Sequence, residues 1–151
     1  MSPGPTDGAA PSLPRFGPRV VLVEDDRANR ALLKETLESC GIEVVGEASD
    51  GLESIGVVHH LRPDVVLMDL LMPGVGGIEA TRTIKSQVRF TQVIVLTAYD
   101  GPLPTRGAHE VGAYAYLVKG CSTELMRDVI EQAYLRCLAL REDARGRRDA
   151  G

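Results

Sequence analysis

Five short apolar runs punctuate the chain, each followed by a helical or turn-forming stretch. Val20-Val21-Leu22-Val23, Val65-Val66-Leu67-Met68 and Val93-Ile94-Val95-Leu96 show no polar alternation, which is the pattern of strands buried on both faces. Glu43 to Ala48 is more polar and is expected nearer a sheet edge, and Tyr114 to Val118 supplies a fifth strand. Between these runs the periodicity becomes helical. Asp26 can cap a helix from Arg27 to Ser39, with Leu33, Leu37 and Cys40 on one face and Gly41 as the stop. Asp50-Gly51 opens a second helix through about His60, ended by Arg62-Pro63. Ile78 to Gln87 is a third, with Ile78, Thr81 and Ile84 aligned, and Ser122 caps a last helix to about Arg141 with Leu125, Val129, Ala133 and Cys137 inward.

One expected helix is poorly written. After the fourth strand, Gly101, Pro102, Pro104 and Gly107 leave only about Thr105 to Val111. An interior Pro costs ~3 kcal/mol and an interior Gly ~1, so a short helix of about two turns, or a loop, is expected there.

Five strand–helix alternations with buried strands imply a parallel α/β sheet with helices on both faces. Right-handed crossovers then bring the carboxyl ends of all strands to one edge, where such sheets bind ligands. The third run ends in a single carboxylate, Asp69, followed by Leu70-Leu71-Met72-Pro73-Gly74. Glu24-Asp25-Asp26 follows the first strand, Thr97-Ala98 the fourth and Lys119-Gly120 the fifth. Residues 1–18 carry repeated Pro with Gly and Ala and read as a disordered lead-in; residues 19–141 form the domain, and residues 142–151 read as a linker or frayed tail.

The 151 residues, 44% hydrophobic and 25% charged, suit one soluble globular domain. A formal charge of −4 argues against this segment itself binding nucleic acid, and no apolar run or N-terminal pattern suggests a membrane span or signal peptide. Cys40, Cys121 and Cys137 lack metal or redox spacing and read as reduced thiols, fitting a cytoplasmic protein. His59-His60 and His109 have no partner spacing for a metal. The glycines at 74, 76 and 77 follow the wrong strand for a dinucleotide fingerprint.

Carboxylates at 24, 25 and 69 in one crevice repel one another unless a cation sits among them, and an all-oxygen set suits Mg²⁺. Asp69 can then act as a nucleophile toward phosphorus. The acyl phosphate would find partners in the metal, the Lys119 ammonium and the Thr97 hydroxyl, with Ala98 small enough to leave room. Singly, each residue has a plain structural use as a cap or a solvated charge. Their convergence at the ends of different strands is what points to a site.

Residues 19–141 resemble the receiver domain of bacterial two-component response regulators, carrying VVLVEDD, VVLMDLLMPGVGGIE, VIVLTA and AYLVKG in order. The resemblance implies a flavodoxin-like (CheY-like) five-stranded parallel sheet of order 2-1-3-4-5. It makes Asp69 the phosphoacceptor, and Glu24, Asp25 and the Leu71 backbone carbonyl its companions around Mg²⁺. Thr97 with Ala98 matches the switch and phosphate-binding position, Lys119 the family's lysine, and Tyr116 the aromatic that swings inward on activation. The implied partner is a sensor histidine kinase or histidine phosphotransfer protein, with homodimerisation on phosphorylation.

Gly120 stands where the family often has Pro, as in the class that carries a LuxR-type helix-turn-helix output domain. The resemblance thus implies transcriptional regulation through a DNA-binding domain not within this chain, with stand-alone signalling by protein contacts or phosphorelay as the alternative. It implies a phosphoacceptor switch and not a turnover enzyme. A Mg²⁺-dependent phosphatase would want an Asp where Leu71 stands, and a flavodoxin a hydroxyl-rich loop where Glu24-Asp25 stands. Leu71 and Tyr99, two residues past Asp69 and Thr97, offer no general base, so slow loss of phosphate is expected.

Overall fold

The computed structural model describes residues 17–70, 76–98 and 111–150, with side chains described up to residue 147. Its elements are β1 (Arg19–Val23), α1 (Arg27–Ser39), β2 (Glu43–Ala48), α2 (Gly51–Leu61), β3 (Val65–Asp69), α3 (Gly77–Gln87), β4 (Gln92–Thr97), β5 (Ala115–Val118) and α4 (Thr123–Ala150). The strands form one parallel sheet in the order β2-β1-β3-β4-β5, as expected.

Alternate residues of each central strand enter opposite cores. Val21, Val23, Val66, Met68, Val93 and Val95 pack with Val58 of α2 and Ala80 and Ile84 of α3. Val20, Leu22, Val65, Leu67, Ile94 and Leu96 pack with Leu37 of α1 and Met126, Ile130 and Ala133 of α4. Both faces of β1, β3 and β4 are therefore covered, which is why their sequences carry no alternation. β2 is half-exposed at the edge, in keeping with its polar composition.

Local signals set the helix ends. The Asp26 carboxylate accepts from the Asn29 N–H, and Asp50 from Glu53 N–H, so α1 and α2 start where those caps stand. At the end of α1, Gly41 takes φ +81°. Its N–H donates to the Glu38 carbonyl and that of Ile42 to the Leu37 carbonyl, a Schellman closure sealed by Leu37 and Ile42 in one core. α2 ends on Arg62 in the left-handed region, φ +50°.

The last helix departs from expectation twice. Its inward stripe is Met126, Ile130, Ala133 and Cys137, whereas Leu125 is 46% exposed and Val129 only partly buried. The two stripes share Ala133 and Cys137, and periodicity alone does not choose between adjacent columns. The fit of Met126 and Ile130 against the β3 and β4 side chains does. Secondly, α4 runs on past Arg141 to Ala150. Gly146 sits inside it rather than ending it, and an Asp143–Arg147 pair of i,i+4 spacing at 3.1 Å lies along the extension.

A buried carboxylate anchors this helix at the amino edge of the sheet. Asp64 Oδ2 accepts from the Arg19 N–H at 2.9 Å, and Oδ1 accepts from the Cys137 thiol at 3.6 Å and from Arg141 Nη2 at 3.3 Å. The Arg141 guanidinium also donates to the Arg62 carbonyl and lies 3.9 Å over the Phe90 ring. Burial pushes the Cys137 thiol up from its ordinary pKa despite Arg141 beside it, so it stays protonated and unreactive near neutrality. The expected helix between Thr105 and Val111 falls almost wholly outside the described residues, as do Leu71, Tyr99 and His109; Val111 and Gly112 form a turn.

The start of α3 is tightly constrained. A Cβ at Gly77 would strike the Asp69 carbonyl oxygen and lie 2.9 Å from Leu70 Cα, both backbone and unable to yield. At Gly56, inside α2, a Cβ would meet nothing within 4 Å. Gly56→Ala should therefore stabilise the protein by about 0.5–1 kcal/mol, and Gly77→Ala should destabilise it by about 1–3 kcal/mol. Urea unfolding of both variants checks the opposite signs.

Candidate functional site

The carboxyl ends of β1, β3 and β5 deliver four charged side chains to one place. β3 pairs with β1 and β4, so Asp69 sits at the centre of the edge, opposite Leu96 in register. Its backbone is held on both sides: the Leu70 N–H donates to the Leu96 carbonyl at 3.0 Å, and the Gly77 N–H returns to the Leu70 carbonyl at 3.2 Å. Only a residue without a side chain lets α3 begin so close beneath Asp69. The loop leaving the carboxylate is thus fixed at its exit and at its re-entry.

Glu24 is held equally firmly. Its N–H donates to the Ala48 carbonyl of β2, and its Oε2 accepts from the Asp26 N–H at 3.1 Å. Its carbonyl accepts from Arg30 Nη1 at 2.7 Å. Glu24 and Asp69 are 4% and 3% exposed, while the adjacent Asp25 faces solvent. One oxygen from each of Glu24, Asp25 and Asp69 lies within 4.8 Å of the others, the one such acidic cluster among the described residues able to hold a metal ion.

Lys119 closes the arrangement. Its N–H donates to the Thr97 carbonyl at 2.6 Å, fixing the end of β5 against β4. Its ammonium then reaches Asp69 Oδ2 at 3.1 Å and Glu24 Oε1 at 3.3 Å. Partial burial alone would lower the lysine pKa, but the hydrogen bond and charge of Asp69, and after them Glu24, outweigh it and raise it. Three carboxylates and one ammonium leave two net negative charges in the crevice, the complement of a divalent cation.

The other sequence candidates fall around this centre. Thr97 is buried at the end of β4, one strand from Asp69, and Ala98 beside it is exposed. Tyr116 lies on β5 in register with Val95 and is 38% exposed. Leu71 lies outside the described residues. Cys40, Cys121 and Cys137 are free thiols, and His59 and His60 are exposed at the end of α2. Sequence reasoning missed Arg30. A signal for it existed: basic residues in the first turn of a helix oppose the helix dipole, and both Arg27 and Arg30 stand at the start of α1, which has no acidic residue there.

An open parallel sheet with an acidic crevice and a lysine at its carboxyl edge defines a class of doubly wound α/β proteins with a candidate cation site at that edge. Residues 20–131 match the family model of the response regulator receiver domain, and the chain belongs to that family. The transcriptional regulatory protein PdtaR of Mycobacterium tuberculosis is 40% identical over 133 residues, 88% of this chain and 63% of that protein. The response regulator UvrY of Escherichia coli is 40% identical over 117 residues, covering 76% of this chain and 53% of the relative. Among solved structures, a two-component response regulator of the LuxR family from Aurantimonas sp. SI85-9A1 superposes with a TM-score of 0.75 at 32% identity, over 80% of this chain and 86% of that one. The chain spans between about half and just under two thirds of the length of these two curated relatives. No helix among the described residues is long and apolar enough to cross a membrane.

The raised pKa of Lys119 carries a sign for stability. A lysine whose native pKa exceeds its unfolded value of about 10.4 contributes fully below that value and loses its contribution as pH rises through the native one. The parent should therefore lose stability relative to Lys119→Met only as pH rises above about 10.4, and not below it. Denaturant midpoints of the two proteins on either side of that pH measure it.

Proposed function

We propose that Asp69 accepts a phosphoryl group in a Mg²⁺-dependent reaction and that the domain is a signalling switch, not a turnover enzyme. The observation that carries this reading is the convergence of Glu24, Asp25 and Asp69 within 4.8 Å, with Lys119 bridging two of them. The donor set fits Mg²⁺ by chemistry: it is all oxygen, three carboxylates gathered in one crevice, which suits a hard divalent cation. Glu24, Asp25 and Asp69 would hold the ion, with the Leu71 carbonyl as a further ligand. When bound, Mg²⁺ neutralises charge on the transferring phosphoryl group.

The protein's own residues do the rest. An Asp69 carboxylate oxygen forms the new bond to phosphorus as the bond from phosphorus to the donor nitrogen breaks, and the donor imidazole leaves with the electron pair and takes up a proton. The Lys119 ammonium, drawn from its partnership with Asp69, turns to a phosphoryl oxygen. Thr97 offers its hydroxyl to another, and Ala98 leaves room beside it. Tyr116, half-exposed on the neighbouring strand, is the group that reports the change to the surface around β5.

The donor is a phosphohistidine on a sensor kinase or a histidine phosphotransfer protein, and the setting is the cytoplasm. A groove of about 380 Å³ between α1 and α4 opens on Glu24 and Lys119 and has Leu32 on its rim, 64% exposed, an apolar footing for such a partner. The output is transcriptional, acting through a DNA-binding domain beyond this segment. The support is that PdtaR is described as a transcriptional regulatory protein and that the superposed Aurantimonas structure is of the LuxR family.

Binding to the native state alone stabilises by RT ln(1 + [L]/Kd), about 2.7 kcal/mol at a hundredfold excess over Kd. Mg²⁺ should therefore raise the thermal midpoint of the parent in a saturable manner. Asp69→Asn should lose most of that rise and all phosphorylation by a small-molecule phosphodonor. Equal phosphorylation of parent and Asp69→Asn would refute the assignment.

A further inference from the structure

We infer that Arg30 is a positioning residue for the metal site, working by holding the backbone of Glu24 and not by its charge. The inference rests on the Mg²⁺ reading above. Arg30 lies one turn into α1, and its side chain is only 18% exposed. Nη1 donates to the Glu24 carbonyl at 2.7 Å, while Nε donates to Glu47 Oε1 of β2 at 3.0 Å. Lys34, the next residue on the same helix face, reaches the other Glu47 oxygen at 3.4 Å. The planar guanidinium thus ties three elements together: the loop that carries Glu24 and Asp25, the helix after it, and the edge strand beside it.

The geometry explains what the clamp does. Glu24 directly follows β1 and is joined to the α1 cap, Asp26, by Asp25 alone. The Glu24 N–H is tied to β2 and its carbonyl to Arg30, so the peptide planes on both sides of its Cα are fixed. The Glu24 and Asp25 carboxylates are then aimed at the crevice before any ligand arrives. Three acidic groups kept this close have every electrostatic reason to splay apart, and Arg30 opposes that through the backbone. A lysine can replace it only in part, because one ammonium lacks the two fixed, divergent N–H directions of the fork. Glu47 lies against the guanidinium and offsets much of its field, so the positive charge costs the cation site little.

Charge and position predict opposite signs, which makes the inference sharp. A positive group near a cation site weakens binding by Coulomb repulsion, so removing it should tighten Mg²⁺ if charge were its role. Loss of an outer-shell positioning partner weakens metal affinity by roughly ten- to a hundredfold. Mg²⁺ affinity is measured by titration calorimetry on the full chain for the parent, Asp69→Asn, Arg30→Met and Arg30→Lys, at a temperature where melting curves show each to be folded. Arg30→Met should bind ten- to a hundredfold more weakly, with Arg30→Lys intermediate. With a small phosphodonor, the half-saturating Mg²⁺ concentration should rise in step while the rate at saturating Mg²⁺ stays close to the parent's.

An Arg30→Met protein that binds Mg²⁺ as tightly as the parent, or more tightly, overturns the inference and leaves the phosphoacceptor reading intact. A parent that binds no Mg²⁺ overturns that reading, and this inference with it. Should Arg30→Met fail to fold, Arg30→Lys decides alone: it keeps the charge, so unchanged affinity refutes positioning and a severalfold loss supports it.

Discussion

Glu24 and Asp69 are two carboxylates buried almost fully side by side, and the Lys119 ammonium bridges them. Buried carboxylates without a partner are costly, and here each is satisfied from two directions: by the lysine at the tip and by fixed backbone at the root. The rest of the fold can be traced from this requirement. Lys119 must come from the end of β5, so β5 must lie beside β4, and the Lys119 N–H bond to the Thr97 carbonyl secures that edge. Asp69 must stand at the centre, so β3 is flanked by β1 and β4 and buried on both faces. The two apolar cores above and below the sheet then supply the rigidity that fixes the distances.

The opposite edge of the sheet mirrors the arrangement with a structural purpose. Asp64 immediately precedes β3 just as Asp69 ends it, yet Asp64 is satisfied by the Arg19 backbone, Arg141 and the Cys137 thiol. No position there is left for a cation, because the guanidinium already supplies the positive charge and fills its geometry. At the Asp69 end the positive partner is a flexible lysine, a point charge that can shift from carboxylate to phosphoryl oxygen. The difference between an arginine lock and a lysine bridge separates the anchored end of β3 from the reactive one.

Much of this was legible in the sequence, for physical reasons. Uninterrupted apolar runs gave the three central strands, Asp26 and Asp50 marked the starts of α1 and α2, and Gly41 marked a stop. The order 2-1-3-4-5 came from the family resemblance and is what the sheet shows. The carboxylates and lysine could be placed together because strand ends in a parallel sheet share an edge. What the pattern did not reveal depends on side chains meeting at long sequence separation. The column of α4 that turns inward is decided by its fit to β3 and β4, and the helix continues past Arg141 although its charged, Gly-bearing sequence resembles a tail. Gly77 read as part of a loop, whereas its missing side chain is what admits α3 beneath Asp69. For Arg30 the only local signal is a positive charge placed unfavourably at the start of α1; its reach to a carbonyl six residues back and to a carboxylate on another strand is not written locally.

Locating the covalent phosphate tests the account most directly. After exposure to a small-molecule phosphodonor with Mg²⁺, borohydride reduction converts an acyl phosphate on aspartate to homoserine, which peptide sequencing by mass spectrometry can place. Homoserine should appear at position 69 alone, only when Mg²⁺ is present, and not in Asp69→Asn. Homoserine at another aspartate, or a stable phosphate on a hydroxyl residue with position 69 unmodified, would contradict it.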